Sequence, residues 1–532
     1  MSGLLPGPAS HINNLPPELL TRIFLGLRND SVKYEWLQVT SVCKYWREVA
    51  IGFSRLWTDI QIPAGFDAEV VKVALSRSNQ AALQVSVACQ DEDSDLDSAL
   101  RILCEHSRRI EYLSVTIQLA QSSIVTMCLQ SLGPALHELH LKGIIPNVAR
   151  GSLPSLDHVS LQEVELPRLK TLHLDGILVD APDALFAQLE RIVLRKTEPA
   201  LSRLDRGARS LLFPDYMRKT LAACVNAESV CIEEAFDRES VLAWEPVHLP
   251  RLQRLYILDM CFGTRKVLRM FKLSPTAAVH VTSVPECALI PQDTLARGCF
   301  TTTLPTRGGD QTTRLRREGT RRLAFSASDA SWRVKGLIKK YEKRPETPWS
   351  ASVLMPEQLD GEAREAHLRS AFHELGSLVR PRYIKVLDIH VAPHLGNDYP
   401  WMTLLREFSN VHSLKVGGVA ATTTLLDAVA SAATDSGEEP LARVSSMRLC
   451  LREITPTLEV AFRRCIEAHK ATSLRILPAS VVLRHIPPDP PGDDKLSEDI
   501  VTIWLGKMKK AFSCLEWSKE SERCRACQGI TS

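Results

Sequence analysis

Apolar positions follow two different rhythms along this chain. Between residues 15 and 50 they recur every three to four residues, the period of a helix face. Leu15, Leu19, Leu20, Ile23, Phe24 and Leu27 form one such run. Val39, Val42, Cys43, Trp46, Val49 and Ala50 form a second, and a Leu56–Trp57 pair follows. Asn13 or Asn14 suits the first N-cap, Pro16 and Pro17 suit the helix entry, and Glu18 complements the dipole of the first turn. Thr40 or Ser41 is placed to cap the second run. The result is a helical unit of roughly fifty residues with more large apolar side chains than so small a unit buries alone. Those side chains face either a partner or the rest of the same chain.

Past residue 80 the rhythm becomes apolar, two residues, apolar, one residue, apolar. "IEYLSV" from Ile110, "LHELHL" from Leu136, "LDHVSL" from Leu156, "LKTLHL" from Leu169 and "LERIVL" from Leu189 share it. "LQRLYI" from Leu252, "VHSLKV" from Val411 and "VSSMRL" from Val444 share it too. The alternating final pair predicts a short strand with one side chain inward and the next outward. Recurrence at about 20 to 26 residues is the signature of a repeat array whose units stack on one another. An unrelated α/β domain with Leu-rich strands is the alternative. The outward positions are His140, Ser160, His173, Tyr256, His280, Lys415 and Arg448, a mixed polar and aromatic set suited to protein binding.

The phrase breaks at 299–348, where "CFTTTLPTRGGDQTTRLRREGTRRL" is polar and turn-rich. Arg307 to Arg344 holds twelve Lys or Arg against four acids in a chain of net charge +3. Without interleaved aromatic residues this basic run predicts a flexible, solvated insertion at 299–348. Nuclear or nucleic-acid binding through 307–344 is the alternative. The repeat phrase returns weakly over 349–478. A Pro-rich linker spans 479–494, and 495–532 holds a C-terminal helix and tail. Ser497 would cap that helix, with Leu496, Ile500, Trp504, Met508, Phe512 and Leu515 as its apolar stripe.

Composition excludes more than it selects. At 24% charged and 45% hydrophobic the chain is ordinary for a globular protein, and its small net charge favours no partner class. Fourteen cysteines, mostly single among apolar neighbours, and no secretory leader predict free thiols in a reducing compartment, cytoplasmic and/or nuclear. No apolar run approaches the roughly 18 residues of a membrane span. "HELH" at 137 lacks zinc-protease spacing. "QDEDSDLDS" at 90 lacks the Gly and Glu of a calcium loop and reads as an acidic surface loop. Cys524 and Cys527 alone do not complete a zinc site. No P-loop, dinucleotide glycine motif or G-x-S-x-G is present. No enzyme activity, metal or cofactor is expected.

Residue identity adds a resemblance. "LPPELLTRIF", then "VCKYWREVA", then "LW", in that order and spacing, resemble the F-box over residues 11–59, in a spelling most similar to fungal members. The repeat phrase over 80–298 and 349–478 resembles an irregular leucine-rich-repeat solenoid, although Ile144, Val164 and Ile177 stand where that family often has Asn or Cys. The implied fold is a three-helix α F-box followed by an α/β leucine-rich-repeat-like solenoid. The implied function is substrate recognition in a Skp–cullin–F-box ubiquitin ligase. By this resemblance a Skp-family adaptor, and through it cullin and RING subunits, would meet Leu15, Pro16, Leu19, Ile23, Phe24, Val42, Cys43 and Trp46. Some of these eight would instead be internal core. A target protein would meet the concave strand residues, among them His140, His173 and Tyr256. A scaffold role outside any ligase is the alternative reading. Membrane and nucleic-acid partners are not expected.

Overall fold

The computed structural model describes residues 15–30, 35–63, 65–88, 95–118, 122–144, 159–195, 206–234, 245–273, 277–284, 320–327, 331–338, 347–354, 371–372, 375, 379, 381–391, 399–451, 455–472, 477–478, 480–485 and 515–518. The chain divides into two compact units, residues 1–235 with 249–251, and residues 236–248 with 252–532.

The first unit opens with helices α1 (Pro17–Asp30), α2 (Val39–Val42) and α3 (Lys44–Gly52), with 3-10 turns at Glu35–Gln38 and Ser54–Trp57. The predicted second helix is two helices. Cys43 breaks it with an extended backbone (φ −158°) and caps α3, its Sγ accepting from the Trp46 N–H. Thr40 and Ser41 therefore do not start this helix. Inside the module Leu20, Phe24, Trp36, Val39, Trp46, Ala50, Leu56 and Trp57 are buried.

A parallel sheet follows. Its strands are β1 (Asp59–Ile62), β2 (Leu83–Ala88), β3 (Ile110–Gln118), β4 (Glu138–Ile144), β6 (Thr171–Asp175), β8 (Arg191–Arg195) and β9 (Ser229–Glu233). Each pairs with the next in chain order. Helices α4 (Ala68–Arg77), α5 (Asp95–Cys104), α6 (Ser122–Leu132), α7 (Asp183–Gln188) and α8 (Arg206–Ala223) fill most of the connections. The repeat phrase explains the register. Val85, Leu113, Leu139, Leu172, Ile192 and Val230 form one buried row, and the next inward row is Val87, Val115, Leu141, Leu174, Leu194 and Ile232. Side-chain period two then places Ser86, Ser114, His140 and His173 on the opposite face.

Two expectations in this unit need correction. "LDHVSL" does not join the main sheet. Its strand β5 (Val159–Ser160) pairs with β7 (Val179–Asp180) in a separate two-stranded sheet, so Ser160 is not on the outward row. The reason is that β4 and β6 already pair directly, and Gly176, with φ +66°, turns the chain from β6 into β7. The acidic stretch at 90 is also not all loop, because α5 begins at Asp95.

In the second unit the strands are β10 (Arg254–Met260), β11 (Ala278–Val284), β12 (Thr320–Ala327), β13 (Ser331–Ile338) and β14 (Thr347–Leu354). They continue with β15 (Val386–Val391), β16 (Ser413–Gly417), β17 (Ser446–Leu451), β18 (Ser480–His485) and β19 (Leu515–Ser518). Helix α9 (Cys261–Met270) follows β10, and α10 (Trp401–Glu407), α11 (Val419–Asp435) and α12 (Pro456–Thr472) separate β15 through β18. β12, β13 and β14 form an antiparallel meander inserted between β11 and β15. The segment expected as a flexible basic insertion, 299–348, thus contributes sheet strands. Its composition is misleading because a paired strand needs only alternate apolar residues. Leu323, Phe325 and Val334 supply buried positions, and neighbouring backbones satisfy the rest. Residues 299–319, 328–330 and 339–346 lie outside the described residues, as do 486–494 of the expected linker, the predicted helix at 495–514 and Cys524–Cys527; the expected linker's 480–485 instead form β18, which pairs parallel with β17 because Val481 and Leu483 supply buried alternate positions. Leu515, expected on that helix, begins β19, which pairs parallel with β18.

Candidate docking surfaces

α1 carries two apolar stripes rather than one. Leu20 and Phe24, four apart, face inward and are fully buried; the Phe24 and Trp46 rings meet at 5.3 Å. Leu19, Ile23 and Leu27, also four apart, lie on another face and are 44%, 43% and 44% exposed, with Val42 at 57%. The structure thus sorts the eight predicted adaptor contacts. Pro16, Leu19, Ile23 and Val42 are exposed, Leu15 and Cys43 are half-buried, and Phe24 and Trp46 are interior. The last two form no surface here because the module needs their rings to fill its centre.

The exposed stripe sits on a braced frame. The Tyr45 hydroxyl donates to the Leu15 carbonyl at 2.8 Å, fixing the chain just before α1. Arg28, at the other end of α1, donates to the Arg55 carbonyl at 2.8 Å. The Trp57 indole donates to the Ala50 carbonyl at 2.9 Å, packs edge-on to Trp36 at 5.1 Å, and lies under the Arg77 guanidinium at 4.5 Å. A rigid frame holding exposed apolar side chains is the arrangement a protein partner uses, since little ordering is left to be done on binding.

The outward face of the first unit's sheet is the second surface. His140 on β4 and His173 on β6 are in register, their rings 4.7 Å apart, and Tyr112 from β3 meets His140 at 4.9 Å. His140 Nε2 lies 2.7 Å from Glu138 Oε1 and its Nδ1 lies 3.3 Å from the Tyr112 hydroxyl. A proton on Nε2, donated to the carboxylate, leaves Nδ1 to accept from Tyr112. Burial, and after it the adjacent His140, lowers the His173 pKa. Burial raises that of Tyr112. The structure therefore brings His140 and His173 together. Tyr256, 38% exposed, stands in the second unit, stacked on His280 at 4.9 Å.

Sequence reasoning missed Tyr112, Glu138 and Asp175. Strand alternation carried a signal for two of them. Glu138 lies two residues before His140, and Asp175 two after His173, on the same face. Among the described residues no group of three or more His, Cys, Asp or Glu is placed to hold a metal ion. No helix among them is long and apolar enough to cross a membrane.

The F-box-like family model matches residues 12–62, the helical module and β1. No curated protein matches the chain. The chain carries an F-box-like domain, which supports an F-box protein. Domains of this kind act in protein–protein interaction, generally bind Skp-type adaptors and typically serve in Skp–cullin–F-box ubiquitin ligases.

Proposed function

We propose that this chain is a substrate-recognition subunit of a Skp–cullin–F-box ubiquitin ligase. The observation that carries the reading is the second apolar stripe of α1. Leu19, Ile23 and Leu27 stay exposed while the module's interior is already filled by Leu20, Phe24 and Trp46. In this reading the stripe, with Pro16 and Val42, docks a Skp-type adaptor. The sheet units, read as an irregular leucine-rich-repeat-like array, hold a target protein. The in-order parallel pairing of β1, β2, β3, β4, β6, β8 and β9 in the first unit supports that reading of the repeats. The chain itself performs no chemistry. It contributes proximity between the target and the ubiquitin-charged enzyme brought by the other subunits.

Co-expression with a Skp-type adaptor and a cullin tests this. The wild-type chain should co-purify with both. Leu19→Ala with Ile23→Ala should lose the adaptor while the chain stays folded, since interface anchors commonly contribute about 2 kcal/mol or more each. Retention of the adaptor by that variant would refute the docking face. A complex holding adaptor but never cullin would replace the ligase reading with a scaffold role.

A further inference from the structure

Among the described residues, the outward face of the first unit's sheet holds three buried polar atoms without a hydrogen-bond partner: Asp175 Oδ1, His173 Nε2 and Arg195 Nε. Parallel register aligns Lys142, Asp175, Arg195 and Glu233 across β4, β6, β8 and β9, one step beyond the histidine row. Their charges sum to zero, so net charge selects nothing. The pairing does. Arg195 Nε lies 3.5 Å from Glu233 Oε2 as an ion pair without a hydrogen bond, and Glu138 is engaged by His140. Lys142 reaches only to 4.0 Å from Asp175 Oδ2, outside hydrogen-bond distance, and its side chain is half exposed. Asp175 is 7% exposed, and its Oδ1 has no hydrogen-bond partner; His173 Nε2, two residues away on the same strand, has none either. Buried carboxylate oxygens are nearly always hydrogen-bonded, and an ionised carboxylate only accepts. The missing group is therefore a donor: Lys142 and Arg195 flank Asp175 on β4 and β8 but neither is hydrogen-bonded to Oδ1, and a carboxylate bonds most strongly to a cationic donor.

The surroundings narrow the donor further. The rings of Tyr112, His140 and His173 form a row across β3, β4 and β6, with spacings of 4.9 and 4.7 Å, that ends beside Asp175. A planar guanidinium stacks on such rings and donates through a fork, whereas an ammonium is a compact, strongly hydrated point charge. Building on the proposed role in target capture, we propose that this face receives an arginine side chain of the target protein, its guanidinium donating to Asp175 Oδ1 against the His173 ring. Lys142, loosely held, swings away to admit it. Burial and His140 keep His173 uncharged at neutral pH, so the platform does not repel the incoming cation. Arg191 and Arg195 are the opposing charges nearby, and Glu233 offsets Arg195.

The test uses the full chain bound to its adaptor and a phage-displayed random peptide library. The recovered peptides should share one arginine. Citrulline at that position should weaken binding at least tenfold, measured by fluorescence anisotropy. Asp175→Asn should do the same while leaving adaptor co-purification and the urea midpoint unchanged, and Lys142→Ala should bind as well as wild type or better. If Asp175→Asn fails to fold, the citrulline peptide reports on the same contact from the other side. Recovery of no peptides, of peptides without a shared arginine, or of arginine peptides that bind Asp175→Asn undiminished would overturn the inference. The adaptor and cullin results stand apart. Loss of cullin with the arginine preference intact would reject the ligase role and keep this site, and the reverse would reject only the site.

Discussion

The rings of Phe24 and Trp46 meet with centroids 5.3 Å apart and planes tilted by 59°, closing the centre of the helical module. This contact separates folding from docking on one helix. Phe24→Ala should destabilise the module by about 3–5 kcal/mol, the usual range for an aromatic side chain removed from a core. Leu19→Ala, one stripe away, should change stability by less than about 1 kcal/mol. Urea unfolding followed by tryptophan fluorescence reads both, because Trp36, Trp46 and Trp57 are all buried there. Equal losses from the two substitutions would show that α1 has no free face.

In the second unit the His390 imidazole fills the space where a Cβ on Gly417 would stand. The next residue, Gly418, has φ +103°, and its own Cβ would meet the Val391 carbonyl oxygen. Both glycines let β16 end against β15 and α11 begin. Gly417→Ala should cost about 1–3 kcal/mol through overpacking, and Gly418→Ala at least as much through backbone strain. A urea midpoint equal to wild type for either substitution would contradict this packing.

Acid should weaken the first unit. His173 has its pKa lowered below the ordinary 6.5 by burial and then by His140, and His106 has its own lowered by burial and then by Arg109. The unfolded chain binds these protons at a higher pH than the folded chain does. Their contribution is therefore fully present above about pH 6.5 and declines as pH falls toward the lowered native values. The urea midpoint should drop between pH 7.5 and 5.5, and His173→Gln should reduce that drop. A drop of the same size in the variant would exclude His173 as a cause.

Several thiols should resist modification. Burial pushes Cys224, Cys231 and Cys465 up to about 12, leaving little thiolate at pH 8. Brief iodoacetamide treatment of the native protein, mapped by mass spectrometry, should leave these three largely unlabelled until urea is added. Rapid native labelling of Cys224 or Cys465 would mean that the elements covering them open readily.

Much of the local architecture is legible without the structure. "LHELHL" and "LKTLHL" specify two short strands and their faces, because side-chain alternation is built into an extended backbone. The result is Leu139 and Leu172 inside, with His140 beside His173. "LPPELL" likewise marks a helix start, since proline and an acidic residue suit its unpaired N–H groups, and α1 does begin at Pro17. Tertiary structure decided the rest. Both stripes of α1 have the same spacing, so only packing against Trp46 made Phe24 interior and left Ile23 outside. Strand partners are non-local, so nothing in "LDHVSL" revealed that it would leave the main sheet. Nor did the basic composition of 299–348 reveal that β12 and β13 would find backbone partners within it. The unfilled acceptor on Asp175 is of the same kind. It exists only because β4 and β8 set Lys142 and Arg195 on either side of Asp175 without either reaching its Oδ1, a placement that no local pattern encodes.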